Sequence, residues 1–131
     1  VVEAAQRFLE AKERFPVGSG GWAEATAASF GMLIKETCAE VAKPEWWNDE
    51  GLKALSGRVV RAAPDDMFAN QMRAMVLVGQ CATWEVGPRS ATELREAAVH
   101  WERAAALCPA PAIKADLADA AAGCRSQAGA M

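Results

Sequence analysis

The chain has 131 residues and a formal net charge of −3, and 52% of it is hydrophobic. That length suits one domain with a core of its own. Scattered basic residues and a negative balance exclude a nucleic-acid stripe, and no apolar run approaches the length of a membrane span. Alanine supplies much of the apolar share, so bulk must come from five Trp, four Phe and five Met. Tyrosine is absent and β-branched residues are sparse. That balance favours helix over sheet. The sequence opens Val1-Val2-Glu3 without an initiator Met, so it is read as a processed product or an excerpt of a longer chain.

Residues 1–14 are predicted to be helical, with Val2, Ala5, Phe8 and Leu9 at helical spacing. Phe15 to Gly21 holds Pro and three Gly, and reads as a connector. Trp22 to Ala42 follows as the longest predicted helix. Trp22, Thr26, Ser29, Phe30, Leu33, Thr37, Cys38 and Val41 mark its inner face. Gly31 is either a weak spot in it or a place where another helix comes close.

Pro44 ends that segment, and Glu45 to Asp49 form a connector or turn. Asn48 or Asp49 is positioned to cap the next helix. Leu52, Leu55, Val59, Val60 and Ala63 give that helix its stripe, while Gly51 and Gly57 lower its propensity. Pro64-Asp65-Asp66 closes it. A fourth helix is expected to carry Phe68, Met72, Met75, Val76 and Gly79 on one line and to end near Ala82.

Glu85 to Arg89 reads as a loop. Ser90 and Glu93 then spell the reciprocal cap Ser-x-x-Glu. The fifth helix carries Leu94, Ala97, Ala98, Trp101, Ala104, Ala105 and Cys108, with Glu93, Glu96, His100 and Arg103 on its polar face. Pro109-Ala110-Pro111 forces a turn. A sixth helix follows, with Ile113, Leu117, Ala120, Ala121 and Cys124.

The expected fold is therefore all-α: antiparallel helix hairpins stacked as a short solenoid of about six helices. Residues 1–131 form one domain, with an N-terminal helix pair over 1–43 and the repeat-like helices over 49–126. Ala97, Trp101, Ala104 and Pro109 resemble the second helix of a tetratricopeptide repeat. Small residues at two of these positions let a paired helix approach. The aromatic fills the groove, and the proline ends the helix. Arg61-Ala62-Ala63-Pro64 loosely anticipates the same ending. The chain departs from the family at Arg73, where the repeat uses a large apolar residue. Its Pro64-to-Pro109 interval also exceeds the usual repeat of about 34 residues.

The resemblance implies a protein-interaction scaffold without catalytic activity. It would place Gln71, Met75 and Val78 in a groove, with Asp116 joining them from the sixth helix. Trp46 and Trp47 are adjacent, so they point in different directions. One is expected under the connector and the other at a partner. Met32, Met67, Met72 and Met75 are read as core filling, with an adaptable binding surface as the alternative. A second reading makes the chain an accessory, peripheral subunit of a large organellar assembly, photosynthetic or other. A third and weaker one makes it a regulatory fragment of an enzyme.

No cofactor loop or metal-ligand spacing is present in the sequence. Gly18 to Gly21 lacks the Lys-Ser/Thr ending of a phosphate loop. Asp65-Asp66 and Asp116/Asp119 read as ordinary acidic residues near helix starts. His100 reads as a solvent-exposed surface residue. Cys38, Cys81, Cys108 and Cys124 read as buried reduced thiols, which favours a reducing compartment such as cytoplasm or plastid stroma.

Overall fold

The computed structural model describes residue 10 and residues 13–34, 45–79 and 84–131. The predicted helix over 1–14, the end of the predicted second helix, Cys38 and Cys81 fall largely or wholly outside these. The described residues form five α-helices and no strand: α1 (Gly20–Leu33), α2 (Asp49–Ala62), α3 (Met67–Val78), α4 (Ala91–Leu107) and α5 (Pro111–Gly129). None is long and apolar enough to cross a membrane.

The first four of these helices begin where a side chain satisfies an orphan amide. Ser19 Oγ accepts from Trp22 N at 3.2 Å, Asn48 Oδ1 from Gly51 N at 2.8 Å, and Asp66 Oδ2 from Ala69 N at 2.8 Å. Ser90 and Glu93 complete the reciprocal cap of α4, at 3.1 and 3.0 Å. Pro111 opens α5 in the first turn, where its missing N–H costs nothing. Gly51, read as a propensity weakness, has a packing reason. A Cβ there would collide with the Trp46 carbonyl, which the connector folds onto α2. α3 ends earlier than its apolar pattern suggests. Gly79 is its C-cap at φ +71°, and its N–H donates to Met75 O at 2.9 Å.

α1 packs on α2 and α3, α3 also packs on α2 and α4, and the most extensive contact joins α4 to α5. α3 is thus central, and its faces divide cleanly. Ala69, Met72 and Val76 enter a first core with Trp22, Phe30, Leu33, Leu52 and Val59, closed by the connector residues Trp47 and Trp84. Ala74 and Leu77 enter a second core with Ala97, Ala98, Trp101, Ala104, Leu117, Ala121 and Cys124. The first core is aromatic and the second is alanine-rich. In the second, small side chains draw three helices together and Trp101 fills the space between them. Full burial of a side chain such as Phe30 or Leu52 contributes about 1.5–3 kcal/mol.

The third face of α3 corrects one expectation. Phe68 does not line the core but is 56% exposed, at the edge of a cleft between α1 and α3. Ile113 is likewise 50% exposed. It lies in the first turn of α5, beside the proline turn where α4 has already ended.

Candidate protein-binding surface

The face of α3 that the other described helices leave uncovered and the adjacent side of α1 enclose an apolar cleft of about 450 Å³. α1 contributes Ala27, Ala28, Gly31, Met32 and Ile34, and α3 contributes Phe68, Gln71 and Met75. Small residues on α1 keep the cleft open. Around Gly31, nothing among the described residues lies within 4 Å of where a Cβ would stand. Among the described residues of this lining, Gln71 is the one polar side chain and none is titratable. Clefts of this size accommodate a few bulky side chains.

Of the residues expected at an interface, Gln71 and Met75 meet in this cleft. Val78 is half-buried against the second core instead, and Asp116 is exposed on α5. Trp47 is buried, with its ring 5.4 Å from Phe30 and edge-on to Trp84 at 5.9 Å. Trp46 is half-buried and stacks obliquely on Trp47 at 5.7 Å. The methionines do largely fill core: Met72 is fully inside, Met67 packs against the second core, and Met32 and Met75 pack against core residues while also lining the cleft. Phe68 was missed as a surface residue because its spacing fits an apolar stripe as well as a rim. Only the position of α1 distinguishes the two.

Two polar centres tie α3 to α2 and α4. In the first, Asp49 at the start of α2 receives Arg89 Nη2 at 2.5 Å, Arg89 Nη1 at 2.9 Å, Trp84 Nε1 at 3.1 Å and Gly87 N at 3.3 Å. Arg89 also donates to Val76 O at 3.0 Å, which ties the loop before α4 to α3. The Arg89 hydrogen bonds hold the Asp49 carboxyl far below the usual carboxylate range, and Asp49 in turn raises the Arg89 guanidinium. Lys53 bridges Asp49 and Glu93, and its bond to Glu93 pulls that carboxyl down.

In the second centre, His100 is buried, which corrects its reading as a solvent-exposed residue. Its Nδ1 lies 2.9 Å from Asn70 Oδ1 and its Nε2 3.4 Å from Glu96 Oε2. α4 is packed by α3 on one side and α5 on another, so its buried arc is wider than a single stripe. His100, three residues after Ala97 and four before Ala104, falls inside that arc. Burial pushes the imidazole below its ordinary value, Glu96 pulls it up, and Arg103 and Arg73 push it down again. Asn70 was not singled out, since an amide within an apolar helix carries no signal of its partner.

Cys108 and Cys124 are free and buried. Burial raises the Cys124 thiol, against a hydrogen bond from Trp101, so it stays protonated and unreactive at neutral pH. Among the described residues, no group of three or more His, Cys, Asp or Glu is placed to hold a metal ion. Comparison with known proteins finds no matching family model, no matching curated protein and no matching solved structure.

Proposed function

We propose that the chain is a protein-interaction module whose α1–α3 cleft receives the apolar face of a partner helix. The observation that carries this reading is Gly31. It sits inside α1, where glycine costs roughly 0.5–1 kcal/mol relative to alanine. Among the described residues nothing needs the space it leaves. A helix from a partner, crossing close to Ala27, Ala28 and Gly31, would use that space. Phe68 at the rim and the flexible Met32 and Met75 would then adapt to its side chains. The tetratricopeptide-like reading supports the same direction. Ala97, Trp101 and Ala104 are buried where α3, α4 and α5 converge, as a scaffold of stacked hairpins requires.

Gly31→Leu tests this while keeping the fold, because the new side chain meets none of the described residues near the Cβ position and improves helix propensity. Wild-type and Gly31→Leu protein are used as baits in native extract. A partner held at fixed stoichiometry by the wild type and lost from the variant, with the melting temperature maintained, is the expected result. Equal retention by both, or no partner on either, would overturn the proposal.

A further inference from the structure

We propose that His100 is a proton-operated latch between α3 and α4: on taking a second ring proton it draws Glu96 away from Arg73 and loosens the grip of Arg73 on α2. The argument begins at Asn70. Its Nδ2 donates to Pro64 O and to Asp66 O, each at 2.9 Å. Turning the amide over would set its oxygen against two carbonyls, so Oδ1 must face His100. An oxygen acceptor at 2.9 Å requires the Nδ1 proton. The neutral ring therefore presents a bare Nε2 lone pair to Glu96 Oε2 at 3.4 Å, acceptor against acceptor. Only the imidazolium turns that contact into a hydrogen bond.

Glu96 Oε2 is already occupied. It accepts Arg73 Nε at 2.8 Å, and Arg73 Nη1 reaches across to α2, donating to Lys53 O at 2.7 Å and Ser56 Oγ at 3.1 Å. One carboxylate oxygen thus stands between two cations in turn. With His100 neutral it belongs to Arg73, and α2, α3 and α4 are joined. With His100 charged it is shared, and the link to α2 slackens. The charged groups facing the ring are Glu96 and Arg103 from its own helix and Arg73 from α3. α5 meets α4 through Leu117, Ala121 and Cys124, which carry no charge at neutral pH. Burial and the two arginines outweigh Glu96, so the latch stays closed at neutral pH and opens on acidification below the ordinary histidine value.

The chain has a single histidine, so its ring resonance reports the latch without ambiguity. The test follows the His100 C2–H and Arg73 Nε–H resonances by NMR while the pH falls from about 7.5 to about 5, through the range below the ordinary histidine value. The expected result is one shared midpoint below 6.5, the ordinary value of the imidazole. In Glu96→Gln the Arg73 response is lost although the ring still titrates. His100→Asn keeps a donor near the Nδ1 position without a titrating ring, and its Arg73 resonance stays still. A ring that titrates without moving Arg73, or an Arg73 that moves equally in His100→Asn, overturns the latch, as does a ring that remains neutral throughout.

Discussion

Asp49 and Arg89 lie forty positions apart and form a two-pronged ion pair, at 2.5 and 2.9 Å, beneath the indole of Trp84. The pair is mostly shielded, with side-chain exposures of 18% and 7%. It joins the first turn of α2 to the loop that launches α4, while Arg89 also grips the last turns of α3 through Val76 O. One guanidinium therefore connects three helices at the end where the first core is closed by Trp47 and Trp84. Fork-on-fork geometry suits Arg and not Lys, because two parallel N–H groups match two carboxylate oxygens.

Removing one partner of such a pair leaves a shielded charge behind. Arg89→Met is expected to destabilise the fold by about 3–5 kcal/mol, read from the midpoint of urea unfolding. Asp49→Leu combined with Arg89→Met should cost less than the two single changes added together, since no charge is then stranded. A loss below about 1 kcal/mol in Arg89→Met would place this pair with ordinary surface bridges.

The same pair fixes the direction of acid sensitivity. An unfolded aspartate titrates at about 4, and Asp49 in the fold titrates well below that. A lowered folded value means the contribution is fully present above the unfolded value. It is withdrawn as pH falls below about 4 toward the folded value. His100 works in a higher window, with the same sign: its folded value is depressed, so protonation near and below 6.5 opposes the fold. Wild-type stability should therefore fall in two steps on acidification. In Arg89→Met the lower step shrinks, and in His100→Asn the upper one disappears. Melting temperatures taken across the acid range would show both.

Trp101 is the largest side chain of the second core, and its neighbours there are mainly alanine, leucine and cysteine. Small neighbours on short side chains cannot collapse into the space it would leave. Trp101→Ala should accordingly cost about 3–5 kcal/mol. Trp46→Ala, at a half-buried position on the connector, should cost clearly less in the same unfolding assay. Equal losses would mean that the connector aromatics, and not the α3–α4–α5 junction, hold the fold.

Much of this architecture is legible in the residues themselves. Asn48, Ser90 with Glu93, and the prolines at 64, 109 and 111 mark helix ends because capping and φ restriction are local effects. Leu94, Ala97, Trp101 and Ala104 mark a buried face because helical periodicity is local too. What is not legible depends on which helices meet. His100 looks polar-faced until α3 and α5 are both placed against α4. Phe68 looks like core until α1 is seen to leave it uncovered. Asp49 with Arg89 and Asn70 with His100 are pairs remote in sequence, and neither member carries a local pattern that names the other. Of the proposed surface, Gln71 and Met75 were accessible from repeat register. The contribution of Ala27, Ala28 and Gly31 required knowing that α1 lies beside α3.

Gly31 offers the sharpest separation of stability from recognition. Its backbone is helical and the space beyond it is open among the described residues, so Gly31→Ala meets no steric objection. Replacing an interior helical glycine with alanine should stabilise the fold by about 0.5–1 kcal/mol. If the position exists for stability alone, that gain comes without consequence. If it exists so that a partner backbone can approach α1, the added methyl should weaken partner retention while the melting temperature rises. The two quantities, measured on the same pair of proteins, must then move in opposite directions. A variant that is both more stable and equally retentive would leave the glycine without the role assigned to it.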